Sequence, residues 1–150
     1  AYRARSGTNS LPYPGMRSCL NSLKDTGCAL AVVTNKDSEF THRVLKAHDL
    51  QGYFEQVTCG DSYAAKKPDP LPLLATLKQM SATRNNAVFI GDSMTDVATG
   101  KAAKVETWAF THGYHHGQFD AELAHNQLPE RFLHSFAELT ALLVDPYKAW

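Results

Sequence analysis

The chain has 150 residues, the length of one ordinary domain, and its composition is 43% hydrophobic and 20% charged, as in soluble globular proteins. Its formal net charge is zero, which argues against nucleic acid or an anionic membrane surface as a partner. No apolar run approaches the ~18 residues of a membrane-spanning helix, and the first ten residues lack the apolar region of a secretory signal. We therefore expect a cytoplasmic protein.

The elements predicted along the chain alternate between strand and helix. Residues 1–13 are polar and basic and are predicted to form a linker, and residues 145–150 a tail. Helical periodicity predicts helices over residues 16–26, 38–48, 73–80 and 95–103, and a closing helix from residue 136 that Ser135 can cap. Short apolar runs predict strands at residues 29–34, 54–59, 87–90, 105–110 and 130–134, in which Trp108 and Phe110 are expected to be core residues. This alternation predicts a doubly wound α/β layer with a parallel sheet over residues 14–144.

The three cysteines, Cys19, Cys28 and Cys59, form no Cys-x-x-Cys pair. Because their number is odd and no metal-ligand spacing is present, we predict free thiols in a reducing compartment.

Ligands of parallel α/β sheets bind at the carboxyl ends of the strands, so the residues that follow each strand are the candidates for a site. Thr34, Asn35 and Lys36 follow the first strand. A hydroxyl group beside backbone N–H groups at a helix start suits an oxyanion such as phosphate. The alternative is that Thr34 and Asn35 only cap the next helix.

A basic, proline-rich stretch, Lys66-Lys67-Pro68-Asp69-Pro70, leads into the third helix. A lysine held at this position could neutralise a phosphate or a reacting carboxylate. The alternative is a solvated basic turn with prolines at a helix start.

Two aspartates follow the strand at residues 87–90. Gly91 permits a tight turn, Asp92 projects from the strand end, and Asp96 lies in the first turn of the next helix. Two carboxylates and a few water molecules suit a hard octahedral cation, chiefly Mg²⁺. The alternative is that the two acids only stabilise a helix N-terminus.

Together these segments resemble motifs two, three and four of the haloacid dehalogenase-type phosphohydrolases. The flanks further resemble the phosphoglycolate phosphatase-like branch of that family. The segments that carry the resemblance are VVTNK, KKPDP and IGDSMTD, and the flanks are PYPGM and THGYHHG.

The resemblance implies a Rossmann-like sheet with an inserted cap, and a Mg²⁺-dependent hydrolase of a small phosphorylated metabolite such as 2-phosphoglycolate. Thr34 would hydrogen-bond the transferring phosphoryl group, helped by the backbone around Asn35. Lys67, rather than Lys66, would bridge the phosphoryl group and the nucleophilic carboxylate. Asp92 would ligate Mg²⁺, and Asp96 would ligate it or orient its ligands.

The first motif of this family, an Asp-x-Asp pair that supplies the nucleophile and the proton donor, does not occur in the 150 residues. We therefore expect the sheet to be incomplete, without its first strand and cap, and this chain alone to be inactive. The strands that end at Thr34 and Gly91 would then either pair with each other or leave a slot that another chain fills. Open strand edges of this kind favour self-association.

Two other functions remain open from the sequence: a module that binds a phosphorylated ligand without turnover, and a phosphosugar mutase of the same superfamily. The histidines His112, His115 and His116 are interpreted as part of a surface loop near the site rather than as metal ligands.

Overall fold

The structure, a computed structural model, describes residues 15–111 and 128–144. The helices are α1 (Met16–Asp25), α2 (Ser38–Ala47), α3 (Leu71–Gln79), α4 (Met94–Ala103) and α5 (Phe136–Val144). The strands are β1 (Ala31–Val33), β2 (Gln56–Thr58), β3 (Val88–Gly91), β4 (Glu106–Phe110) and β5 (Arg131–Leu133). All ten lie where the sequence predicts them, to within a few residues. The predictions for residues 1–13, for 145–150 and for the three histidines lie outside the described residues.

The strands form two parallel sheets. β1 pairs with β2, so that Val32 lies opposite Val57. β4 lies between β3 and β5 in the second sheet, with Ile90 opposite Trp108. The predicted α/β fold with an incomplete parallel sheet is therefore confirmed. Within the described residues β1 and β3 do not pair with each other, so the sheet stays divided at the expected position.

An apolar cavity of about 400 Å³ lies at this division. Cys28, Ala29 and Leu30, which lead into β1, line one side, and Val88 and Ile90 of β3 line the other. Helices α1, α3 and α5 contribute further side chains to its wall. The cavity therefore follows the gap between the two sheets.

The core explains why α1 and α5 cover the sheets. The apolar positions of α1 are all buried: Met16, Cys19, Leu20 and Leu23. α5 packs against α1, and its Phe136 ring lies 4.6 Å from the ring of Phe110. Trp108 and Phe110 are buried, as predicted. Each Leu, Met or Phe side chain buried in this way stabilises the fold by about 1.5–3 kcal/mol.

Local signals in the sequence set the ends of several helices. Gly27 follows α1 with φ of 88°, a left-handed conformation that costs glycine little. Ser135 accepts a hydrogen bond from the backbone N–H of Glu138 at 3.0 Å, so the predicted cap of α5 is confirmed.

The three cysteines are free thiols, as predicted. Within the two described ranges, none of the helices has the length and apolar character needed to cross a bilayer.

Candidate active site

Polar side chains gather at the carboxyl ends of three strands. Thr34 directly follows β1, Lys67 lies in the loop between β2 and α3, and Asp92 and Asp96 follow β3. Because parallel strands end at the same edge of a sheet, residues that are far apart in sequence approach one another here. The contacts described below connect these positions to each other.

Lys67 and Asp96 form a buried ion pair. The Lys67 Nζ lies 2.6 Å from Asp96 Oδ1, and the two side chains are 2% and 0% exposed. The ammonium group also lies 5.9 Å from the centre of the Phe89 ring. The alternative interpretation of this segment as a solvated basic turn is therefore wrong for Lys67, because its charge is buried against a carboxylate.

The second carboxylate oxygen of Asp96 organises the turn after β3. It accepts hydrogen bonds from the backbone N–H of Asp92 and from the hydroxyl of Ser93, both at 3.0 Å. Ser93 is the cap of α4, because its Oγ accepts from the backbone N–H of Asp96 at 3.3 Å. Asp96 thus binds Lys67 with one oxygen and holds the Asp92 backbone with the other.

Gly91 is required by this arrangement. A Cβ atom added at Gly91 would lie 2.3 Å from the Cβ of Asp96, closer than two non-bonded carbon atoms can approach. The absence of a side chain at Gly91 therefore lets Asp96 fold back over the end of β3. The sequence predicts a tight turn here, and the structure adds a reason that depends on Asp96.

Hydrogen bonds fix Thr34 to the end of β2 and to the loop that follows it in the chain. Its backbone N–H donates to the carbonyl oxygen of Thr58 at 2.9 Å, and its hydroxyl oxygen accepts from the backbone N–H of Lys36 at 3.2 Å. The cap of α2 is Asp37, which accepts from the backbone N–H of Phe40 at 2.7 Å. The alternative in which Thr34 and Asn35 cap α2 is therefore wrong.

Asn35 makes a contact that the sequence does not indicate. Its Oδ1 accepts from the backbone N–H of Lys67, and its Nδ2 donates to the backbone carbonyl of Lys67, each at 2.9 Å. The side-chain amide is thus bonded to the Lys67 backbone. The prediction that Asn35 helps to bind phosphate concerns its backbone, and it stays a prediction.

These contacts connect all the predicted site residues. Asn35 joins the Thr34 segment to Lys67, Lys67 joins Asp96, and Asp96 joins Asp92. The arrangement links an ammonium group, the segment that carries the Thr34 hydroxyl group, and two carboxylates, of which Asp96 is buried and Asp92 is partly buried. The roles assigned to these residues in catalysis and metal binding stay predictions.

The carboxylate oxygens at the site are of the kind that binds Mg²⁺. Within residues 15–111 and 128–144, no group of three or more His, Cys, Asp or Glu side chains is arranged to hold a metal ion. Mg²⁺, however, is usually bound by one or two carboxylates, with substrate phosphates and water completing its shell. The carboxylate oxygens of Asp92 could supply one ligand of such a site, in which water and substrate phosphate supply the others.

Comparisons with known proteins agree with the fold. A model of the haloacid dehalogenase-like hydrolase family matches residues 1–110. The chain is 35% identical to the phosphoglycolate phosphatase of Psychrobacter arcticus over 149 residues, which is 99% of this chain and 63% of that protein.

Solved structures share the Rossmann-like fold. A predicted phosphoglycolate phosphatase from Haemophilus somnus superposes with a TM-score of 0.76 at 28% identity, over 85% of this chain and 55% of that one. CbbY from Rhodobacter sphaeroides, solved in complex with phosphate, superposes with a TM-score of 0.71 at 26% identity, over 84% and 55% of the two chains. The chain spans about half the length of the curated relatives it matches.

Proposed function

The chain belongs to the haloacid dehalogenase-like hydrolase family, and from that membership we propose that it supplies the phosphate-binding part of a Mg²⁺-dependent phosphomonoester hydrolase. The observation that carries the proposal is the buried pair of Lys67 and Asp96 at the strand ends, connected to Thr34 through Asn35. An ammonium group and a hydroxyl group that follow neighbouring parallel strands can both stabilise the charge that develops on a phosphoryl group during transfer.

Each residue has a separate task in this proposal. The Thr34 hydroxyl donates to a phosphoryl oxygen, and the backbone around Asn35 assists it. The Lys67 ammonium neutralises charge between the phosphoryl group and the attacking carboxylate. Asp96 holds Lys67 in place and fixes the backbone of Asp92.

Asp92 would hold the magnesium ion, since its carboxylate supplies the hard oxygens that this cation prefers. When bound, the ion would neutralise negative charge on the phosphoryl oxygens.

The nucleophile is proposed to come from a strand outside these 150 residues, which contain no Asp-x-Asp pair. The apolar cavity between β1 and β3 supports this proposal, because one extended strand placed there would join the two sheets. Its carboxyl end would emerge between Thr34 and Asp92, where a carboxylate could attack phosphorus. Residues 14–144 would then be most of the catalytic core, with residues 1–13 as a linker from the cap and 145–150 as a tail.

The substrate is proposed to be a small phosphorylated acid such as 2-phosphoglycolate. The support is the similarity to proteins named phosphoglycolate phosphatase, including the relative from Psychrobacter arcticus. The enzyme is proposed to be cytoplasmic. A formal net charge of zero supports the absence of a nucleic-acid or anionic-membrane partner.

A phosphatase assay tests the proposal. The 150-residue chain and a version extended at its N-terminus with the upstream segment of the Psychrobacter arcticus relative are incubated with 2-phosphoglycolate, with and without Mg²⁺. Phosphate release is expected only from the extended chain and only with Mg²⁺. Turnover by the short chain would show that the nucleophile lies within it, and a folded but inactive extended chain would contradict the assignment as a hydrolase.

A module that binds phosphate without turnover is the second candidate, and the missing Asp-x-Asp pair favours it. Calorimetry of the extended chain with inorganic phosphate separates the two functions. Phosphate binding without any hydrolysis would support the binding module.

A further inference from the structure

We propose that Asn35 is a positioning residue that sets the place of Lys67 in the site by holding its backbone, a role that rests on the proposed function. Asn35 thereby acts on the reaction through Lys67, and its side-chain amide does not contact the phosphate.

The two hydrogen bonds to the Lys67 backbone need both the donor and the acceptor of the Asn35 side-chain amide. The side-chain amide of Asn35 bonds to both backbone groups of Lys67, the N–H and the carbonyl, at 2.9 Å each. These two bonds fix the peptide groups on both sides of the Lys67 Cα atom. Only a side chain with one acceptor and one donor at this spacing can make both bonds, whereas an aspartate carboxylate offers acceptors alone.

Asn35 can hold Lys67 because its own segment is fixed. The backbone N–H of Gly60 donates to the carbonyl oxygen of Lys36 at 2.7 Å. A Cβ atom at Gly60 would lie 2.1 Å from the carbonyl oxygen of Asn35, so the close approach of the two loops requires glycine there. The loop after β1 therefore packs directly on the loop after β2.

A second pair of contacts joins the same two loops without involving Lys67. Asp61 accepts from the backbone N–H of Ser38 at 3.1 Å and from the Ser38 hydroxyl at 3.0 Å. These bonds are exposed, in contrast to the partly buried bonds of Asn35. Ser38→Ala therefore provides a matched control, because it removes the hydroxyl bond to Asp61 from the same loop junction at a point away from the lysine.

The Asn35 bonds also determine where Lys67 lies relative to Thr34. Thr34 and Asn35 are adjacent in the chain, so the bonds from Asn35 set the Lys67 backbone relative to the Thr34 hydroxyl. Lys67 then reaches across the divided sheet to Asp96 in α4. Loss of the Asn35 bonds frees the Lys67 backbone to shift relative to Thr34, so that the buried ion pair to Asp96 opens more often.

The first experiment uses this chain and needs no catalytic activity. The rate of Lys67 acetylation by an N-hydroxysuccinimide ester is measured by peptide mass spectrometry in the wild type and in the variants Asn35→Ala, Asn35→Asp and Ser38→Ala. We expect acetylation to accelerate by about tenfold or more in both Asn35 variants, because local opening exposes the amine. Ser38→Ala is expected to match the wild type.

Unchanged acetylation of Lys67 in both Asn35 variants would overturn the proposal, as would equal acceleration in Ser38→Ala. If Asn35→Ala does not fold, Asn35→Asp decides the matter, because it keeps the acceptor for the Lys67 N–H.

The second experiment uses the N-terminally extended chain and measures kcat and KM. A shift of about 1 Å in a catalytic group can cost about 10²-fold in rate, so Asn35→Ala is expected to lower kcat by about that factor and to change KM less. In a Lys67→Met background the same substitution is expected to have no further effect on kcat.

Additive losses in the double variant would show that Asn35 acts independently of Lys67 and would overturn the proposal. An inactive wild-type extended chain would contradict the proposed function alone, because the acetylation experiment still decides the role of Asn35.

Discussion

The ammonium nitrogen of Lys67 lies 2.6 Å from Oδ1 of Asp96, and both side chains are almost fully buried. The pair joins the loop after β2, which belongs to one sheet, to the helix that follows β3, which belongs to the other. It therefore bridges the division in the sheet and also places a positive charge at the candidate active site.

Loss of either partner of this pair is expected to destabilise the fold. Lys67→Met or Asp96→Asn leaves a buried charge without the opposite charge beside it, and such changes cost about 3–5 kcal/mol. In the double variant both charges are gone, so its loss is expected to be smaller than the sum of the two single losses by about 1 kcal/mol or more. Urea unfolding of the four proteins measures these free energies. Strict additivity would show that the two groups do not interact.

Gly91→Ala is expected to disturb Asp96, because the new methyl group would overlap its side chain. Overpacking of this kind costs about 1–3 kcal/mol in the free energy of unfolding. Gly52→Ala is the matched control, since nothing lies within 4 Å of a Cβ atom added there. Thermal or urea unfolding compares the two variants. Equal stability of both with the wild type would contradict the close packing of Asp96 on Gly91.

Asp92→Asn is expected to weaken the Mg²⁺ dependence of the N-terminally extended chain, because an amide is a poorer ligand for this cation than a carboxylate. The Mg²⁺ concentration for half-maximal phosphatase rate should rise by about tenfold or more. Asp69→Asn is the control, as an exposed aspartate in the loop before α3 whose Oδ1 accepts from the backbone N–H of Leu71. An unchanged Mg²⁺ titration in Asp92→Asn would remove this residue from the metal site.

The three cysteines are expected to differ in reactivity. Burial raises the pKa of the Cys19 and Cys59 thiols above the ordinary value of 9.0, so less thiolate is present at a given pH. Cys28 is only partly buried. At pH near 8, iodoacetamide should therefore label Cys28 first, as peptide mass spectrometry can show.

The same pKa shifts predict how stability changes with pH. The folded chain holds these two thiol protons more tightly than the unfolded chain, so the stabilisation is present below the ordinary pKa of 9.0 and is lost as pH rises through the raised values. Denaturation should make all three cysteines react alike. Labelling of Cys19 or Cys59 at the rate of Cys28 in the folded chain would contradict the raised pKa values, on which the expected reactivity and the expected pH dependence of stability both rest.

The open edges of β1 and β3 are expected to make this chain self-associate at high concentration. Ala29 is exposed, precedes β1 and lines the cavity, so Ala29→Lys should weaken the association by placing a charge at the open edge. Ala102→Lys on the exposed surface of α4 is the control. Sedimentation velocity over a range of concentrations measures the effect. A wild-type chain that stays monomeric throughout would show that the edges are protected.

The order of elements and the positions of the site residues were readable from the sequence, because both depend on local patterns. Buried strands appear as apolar runs, amphipathic helices have a 3.6-residue period, and the polar residues after each strand mark its carboxyl end. Thr34, Lys67 and Asp92 were identified in this way, and the resemblance to a family assigned their roles. Neither source of information shows which side chains touch.

Only the tertiary structure decided the partners of these residues. Asn35 and Lys67 are 32 residues apart, and Lys67 and Asp96 are 29 apart, so no local pattern connects them. Whether β1 and β3 would pair was likewise undecided, because both are short apolar strands whose sequences do not specify a neighbour. The Lys67–Asp96 pair depends on how the two sheets are placed relative to each other, and the Asn35 bonds depend on how two loops of one sheet pack together. Both result from packing across the whole core.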